Sequence, residues 1–239
     1  MTDVEVVPQA PSQPAPSPAS PASPASPASP AAETNRERVS RRQVDKFAER
    51  RAQLADAALQ TLAELGYART SLREIAQKTE FSHGVLHYYF SDKEDLITHC
   101  VRQYEAACVT RYDEIVASAS SAEELRREFS AAMAQTLRTD APMHRLWYDL
   151  RNQSLFEESF RADVLEIDQR REEMIWRVIS RYASFAGFSV VLSPAAAYAI
   201  LDGLFQQALL HHLAGDADAA EVLRANVVRV LDALVIRPA

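Results

Sequence analysis

The chain has 239 residues, 47% of them hydrophobic, with 26 basic against 33 acidic side chains for a net charge of −7, five glycines, twelve prolines and two cysteines. That apolar content suits a real core, while the lack of a signal-peptide h-region and of any run of about 18 apolar residues speaks against secretion or membrane insertion and for a cytoplasmic protein. Only Pro142, Pro194 and Pro238 follow residue 30, so long helices are the default beyond the N-terminal tail, strands have little support, and the expected fold class is all-α.

Residues 1–40 read as a disordered tail. Nine of the twelve prolines fall in the first 32 residues, and four consecutive Pro-Ala-Ser triplets run from Pro18 to Ser29. A period of three suits polyproline II, but without periodic glycine it is not collagen, and without bulky apolar residues it folds no core. A passive spacer, a misassigned start codon and a functional tail are the readings open to it. Residues 36–51 then set Arg36, Arg38, Arg41, Arg42, Lys46, Arg50 and Arg51 against Glu37, Asp45 and Glu49, a local charge of +4 in an acidic chain. They open a helix expected over Gln43 to Leu65 and ended by Gly66. Basic residues concentrated there suit contact with phosphates; a solubilising helix face is the alternative.

Leu72 to Leu96 is the most informative stretch. Ser71 with Glu74 forms a capping box, and Leu72, Ile75 and Ala76 give the apolar stripe of a short helix. Ser82 caps a second helix to about Tyr89, and Ser91 with Glu94 caps a third. Two short helices across a tight turn make a helix-turn-helix, which lays its second helix in the DNA major groove. At about 100° per residue, Ser82, Val85, Leu86 and Tyr89 share one side of that helix, and His83, Gly84, His87 and Tyr88 the other. The second side offers donors, a phenol and bare backbone to a duplex, although an ordinary surface helix turn fits the same pattern.

Gly66-Tyr67, Thr70 to Ala76, Ser82 to Leu86, Tyr89-Phe90 and Asp92 to Leu96 together resemble the DNA-binding domain of the TetR family of bacterial transcription regulators, over about residues 45 to 100. The resemblance implies a homodimer with an N-terminal three-helix DNA-binding domain and a C-terminal helical domain that binds a small effector. It places the DNA-binding domain at 41–98, including the first turns of a linking helix, and the effector-binding and dimerisation domain at 99–239. By the same resemblance Ser71 and Arg73 meet phosphate or base edges, His83, Gly84, Val85, His87, Tyr88 and Tyr89 belong to the recognition helix, and Lys93 is a phosphate clamp helped by open amides at its helix N-terminus. Arg42 and Lys46 join them as basic contacts. Two positions depart from the family pattern. Glu80 stands where a turn glycine is common, implying either mild strain, on the order of 1 kcal/mol for a left-handed residue, or a different turn shape. His87 replaces a frequent tyrosine, exchanging a phenol for an imidazole that ordinarily titrates near pH 6.5.

Beyond Leu96, caps punctuate six helices, for about nine in all: Asp92 to about Ser118, Ser121 to Arg138, Asp140 to about Ser154, Glu157 to Ala186 ended by Gly187, Ser193 to Leu213 ended by Gly215, and Ala217 to Val235. The last two are apolar over more than a narrow stripe, and Ala199, Gly203, Leu204, Leu210, Val227 and Leu231 are candidates for a four-helix dimer interface, closure of an intramolecular core being the alternative. For the effector pocket the candidates are Tyr104, Met143, Trp147, Phe156, Phe160, Met174, Trp176 and Tyr182, with Phe205 also in the aromatic set; such a pocket favours a hydrophobic or aromatic molecule.

Enzyme motifs are absent: there is no G-x-S-x-G, Walker A loop, dinucleotide fingerprint or H-E-x-x-H, and no cofactor is expected. His83 and His87 at i, i+4 lack a third ligand in their helix, so no metal is expected either. Cys100 and Cys108 on one helix stand about 12 Å apart by rise and read as reduced buried thiols. Two functions follow. One is a dimeric, ligand-responsive repressor whose partners are operator DNA, a second copy and an effector, with no membrane contact. The alternative is a helical protein-interaction module that has kept the fold and lost specific DNA binding.

Overall fold

The computed structural model describes residues 35–187 and 189–236, with side-chain surroundings for 41–187 and 189–234. The Pro-Ala-Ser segment lies outside the described residues. The first helix starts earlier than the charge pattern suggests: α1 spans Asn35–Leu65, so the last residues assigned to the tail are already helical. No proline or glycine falls between 35 and 65, and Arg, Glu, Gln and Ala, which favour helix, fill the stretch. It stops at Gly66, whose φ of 78° suits the residue after a helix.

Two short helices follow, α2 (Leu72–Lys78) and α3 (His83–Tyr89). Ser71 Oγ accepts from the Glu74 amide at 3.2 Å, and Ser82 Oγ from the Val85 amide at 3.3 Å, so both caps form where the sequence puts them. Glu80 does not enter the left-handed region, and no non-glycine among the described residues has positive φ. Instead Thr79 is extended (φ −119°, ψ 170°) and its hydroxyl accepts from the Phe81 amide at 3.4 Å, so the turn has a different shape and no strain.

The linking helix α4 (Lys93–Cys108) is capped by Asp92, one residue later than expected: its carboxylate accepts from Asp95 N at 2.8 Å, while Asp95 accepts from Ser91 N at 3.1 Å. The single helix expected to Ser118 is two, because the chain turns after Cys108 and restarts as α5 (Asp113–Ser118). At that turn Arg111 reaches inward to Asp140 Oδ2 at 2.5 Å and Thr136 Oγ1 at 3.1 Å, a long-range anchor that overrides helical propensity.

The rest of the chain is α6 (Ala122–Thr139), α7 (Ala141–Gln153), α8 (Arg161–Ala186), α9 (Pro194–Leu213) and α10 (Ala219–Ala233). Ser121 and Ser193 cap α6 and α9 as expected; Asp140 does not cap α7, since its carboxylate serves Arg111. A two-residue antiparallel pair, β1 (Ser189–Val190) with β2 (Val235–Ile236), ties the α8–α9 connection to the end of α10. Leu125, Phe129 and Leu137 of α6, Val178 and Ile179 of α8, Leu201 of α9 and Leu223, Val227 and Leu231 of α10 fill the core. Cys100 and Cys108 are buried and unpaired with each other. No described helix is long and apolar enough to cross a membrane.

Candidate nucleic-acid interface and internal cavity

In α3 the core side is short. Leu86 is fully buried, and Val85 and Tyr89 are half-buried, packing against the core while leaving part of each side chain outside. His83, Gly84, His87 and Tyr88 are exposed, Tyr88 at 72%. The His83 and His87 rings stand edge to face at 4.4 Å, and a Cβ added at Gly84 would meet nothing within 4 Å, so the backbone there is open to a close approach. This four-residue surface carries ring donors and bare backbone together.

What holds the face in position was not legible beforehand. Phe47 of α1 packs on Tyr89 at 4.8 Å and on the edge of Tyr88 at 6.1 Å, so α1 sets the height of α3 through three aromatic rings. The local charge run is also divided. Arg42 and Lys46 are exposed, whereas Arg50 lies over Phe81 at 4.9 Å, and Arg51 lies over Phe90 at 4.8 Å while pairing with Asp95. Arg50 and Arg51 therefore act partly as packing groups. In α2, Arg73 is exposed and Ser71 half-buried, with Ser71 committed to its helix.

Lys93 sits at the opening of α4 over the Tyr67 ring at 3.9 Å, its ammonium donating to the Tyr67 carbonyl at 3.3 Å. Of the amides beside it, that of Asp95 is taken by the Asp92 carboxylate, and that of Ser91, just before the helix, by Asp95. Tyr67 itself donates through its hydroxyl to Glu94 at 2.9 Å and through its amide to Asp149 of α7 at 2.6 Å. On the same helix Arg145 donates to the Ala63 and Glu64 carbonyls at the end of α1. One turn of α7 thus holds two carbonyls of the last turn of α1 and the Tyr67 amide just beyond it.

The face of α7 that carries His144 and Tyr148 borders an internal cavity of about 50 Å³. α8 contributes Arg171 and Met174, and α9 contributes Tyr198, Asp202 and Phe205. Of the aromatic and sulfur residues singled out by sequence, only Met174 and Phe205 line it. Trp147 is fully buried beneath the Arg171 guanidinium at 4.5 Å; Phe156 is 83% exposed; Phe160 packs on Tyr67 at 5.6 Å; and the Tyr182 hydroxyl donates to Asp232 at 2.7 Å. Tyr104 binds Asp140 at 3.1 Å, and Met143 and Trp176 are half-buried against the core. These side chains lie in the core or at the surface away from this cavity, a direction that aromatic content alone does not reveal.

The cavity wall is built of long-range pairs. Arg171 is bound by Glu105 through Nε at 2.8 Å and also through Nη2, with both side chains buried; burial opposes its charge, but the carboxylate outweighs that and raises its pKa. The Tyr148 hydroxyl donates to Asp202 at 2.8 Å, Arg151 pairs with Asp202 at 2.5 Å, and the Tyr198 hydroxyl donates to Asp168 at 2.8 Å. Burial and then the nearby Asp202 charge push both phenols up. Among the described residues no cluster of three metal-ligating side chains occurs. A wider open groove of about 740 Å³, bordered by Gly66, Arg69, Arg145, Asn152, Gly203 and Leu210, lies along α7 and α9.

Of the dimer candidates, Ala199, Gly203 and Leu210 are exposed, Leu210 at 69%, and Leu204 is half-buried. Val227 and Leu231 are 0% exposed and belong to the chain's own core, packed with α6, so they cannot meet a second copy. Val222 of α10, 54% exposed, is the large apolar side chain on that helix that stays outside.

The described residues thus form a capped helix-turn-helix with an exposed α3 face, joined to a helical body with an internal cavity. Residues 54–100 match the family model described as bacterial regulatory proteins, tetR family. Over 195 residues the chain is 30% identical to the HTH-type transcriptional regulator BetI of Burkholderia thailandensis, covering 76% of this chain and 93% of that protein. The crystal structure of a TetR transcription regulator from Haloarcula marismortui superposes with a TM-score of 0.65 at 18% identity, covering 80% of this chain and all of that one. That of a transcriptional regulator from Saccharomonospora viridis in complex with choline gives 0.64 at 17%, with the same coverage. The chain belongs to the tetR family of bacterial regulatory proteins.

Proposed function

We propose that the chain is a dimeric repressor, released from its operator when a small, mainly apolar effector enters the internal cavity. The observation that carries this reading is the exposed His83, Gly84, His87 and Tyr88 face, presented on a helix pinned by Phe47. In this reading Arg42, Lys46, Arg73 and Lys93 meet phosphates and set register, with Ser71 fixing the start of α2, while the α3 face reads bases. Ala199, Gly203, Leu204 and Leu210 of α9, with Val222 of α10, form the seam with a second copy, their small and apolar side chains allowing close helix approach.

Release runs through α7. His144 and Tyr148 face the cavity, and Arg145 and Asp149 hold the end of α1, so a ligand that shifts α7 moves the anchor of the DNA-binding domain. The internal cavity is preferred to the open groove because its charged groups, Arg171 and Asp202, are already paired with Glu105 and Arg151, which leaves mainly aromatic and apolar side chains such as Tyr112, Ile175, Leu201 and Phe205 to meet a ligand. The choline of the Saccharomonospora viridis complex belongs to that protein and is not carried over to this chain.

Sedimentation and titration against a duplex selected from a random pool test the reading. A dimer that binds an inverted repeat, with affinity falling about a thousandfold or more between roughly 50 and 200 mM salt, is expected. A monomer, or binding indifferent to salt, contradicts it.

A further inference from the structure

The internal cavity holds one polar group that no described residue satisfies. His144 is 7% exposed and lines the cavity, yet neither Nδ1 nor Nε2 has a hydrogen-bond partner. Every other polar group on the wall is engaged: Tyr148 with Asp202, Tyr198 with Asp168, and Arg171 with Glu105. Protein interiors seldom leave a buried ring with both nitrogens unpaired, because it loses its bonds to water and gains none. The ring packs against that of Phe205, another member of the wall, with centroids 4.5 Å apart, which restrains it from turning to find a partner elsewhere.

From this geometry, and resting on the effector reading of the cavity, we infer that His144 is the polar anchor of the effector site and that the ligand is a neutral, largely apolar molecule carrying a hydroxyl group. Burial first, and then the Arg171 and Arg111 charges, hold the imidazole pKa well below its usual value, so the ring is neutral and offers one N–H and one lone pair. A hydroxyl matches both, accepting from one ring nitrogen or donating to the other. A cationic ligand is disfavoured, because the Arg171 and Arg111 charges that act on the His144 ring act on it as well. The carboxylates near the wall, Glu105 and Asp202, are already paired with Arg171 and Arg151. With a volume of only about 50 Å³, the site admits a ligand through movement of Met133 and Met174, the flexible side chains of its wall.

The test uses the full chain and three probes: phenol, toluene, which matches it in size without the hydroxyl, and tetramethylammonium ion. Dissociation constants are measured by ligand-observed NMR, with Overhauser contacts to the Phe205 ring locating the probe. Phenol is expected to bind at least tenfold more tightly than toluene, and tetramethylammonium not to compete. In His144→Phe the phenol preference should collapse to near unity through weaker phenol binding, and His144→Gln, which keeps a donor and an acceptor, should retain part of it. Equal binding of phenol and toluene beside Phe205, or a preference that survives His144→Phe, overturns the role of His144 while leaving the cavity as the effector site. Binding of no probe beside Phe205 overturns the cavity reading and this inference together, and displacement of phenol by tetramethylammonium overturns the neutral ligand class.

Discussion

α3 and α7 are both short helices carrying histidine, and the structure uses the residue in opposite ways. In α3, His83 and His87 stand on the surface, on a helix started by its own Ser82 cap. In α7, His144 is buried in a wall whose other members come from α8 and α9. The surface helix is governed by neighbours three and four residues away, and the buried one by partners far along the chain, such as Glu105 with Arg171 or Tyr148 with Asp202. The first kind of order is written locally; the second is written in the fold.

The largest effect that would sharpen this contrast lies in the buried wall. Glu105→Ala leaves the Arg171 guanidinium buried without a carboxylate and should lower stability by about 3–5 kcal/mol in a denaturant titration, whereas Glu105→Leu with Arg171→Met should recover most of the loss. If Glu105→Ala costs no more than an exposed pair, below about 1 kcal/mol, the wall does not depend on long-range pairing. In the local region the corresponding change is Ser82→Ala, which removes the α3 cap and should cost about 1 kcal/mol by the same measurement.

A smaller effect separates the histidines by pH. His144 has a lowered pKa in the folded chain, so the unfolded chain takes up its proton first, near pH 6.5. Its contribution is therefore present above about pH 6.5 and lost as pH falls below it, by roughly 1 kcal/mol between pH 6.5 and 5.5. Thermal unfolding of His144→Phe across that range should show a shallower slope than the native chain. An unchanged slope would argue that the imidazole is protonated, or reaches water, in the folded state.

The same division explains what the sequence discloses. The caps at Ser71, Ser82, Ser121 and Ser193, the glycine stops at Gly66 and Gly187 and the all-helical body follow from local rules, and all are present. The split between α4 and α5 does not follow, because Arg111 is drawn to Asp140 across the fold. On α3, angular spacing separates His83, Gly84, His87 and Tyr88 from Leu86, but it says nothing of Phe47, which lies on another helix. The cavity was least legible. An aromatic list picks out Trp147, Phe156 and Tyr182, which face elsewhere, and passes over His144, Arg171 and Asp202, which polarity alone would have sent to the surface. Two adjacent apolar helices suggest a seam, yet only contact with α6 reveals that Val227 and Leu231 face inward.

The central claim is that the exposed side of α3 reads sequence while α1 supplies charge, and Tyr88→Ala and Arg42→Ala divide these roles. Each variant and the native chain should be titrated against the selected duplex and a scrambled one at several salt concentrations. Tyr88→Ala should lose about 1–3 kcal/mol of discrimination between the two, and Arg42→Ala should weaken both alike and flatten the salt slope by about one. Discrimination undiminished in Tyr88→Ala, with both variants binding as the native chain does, would contradict the account.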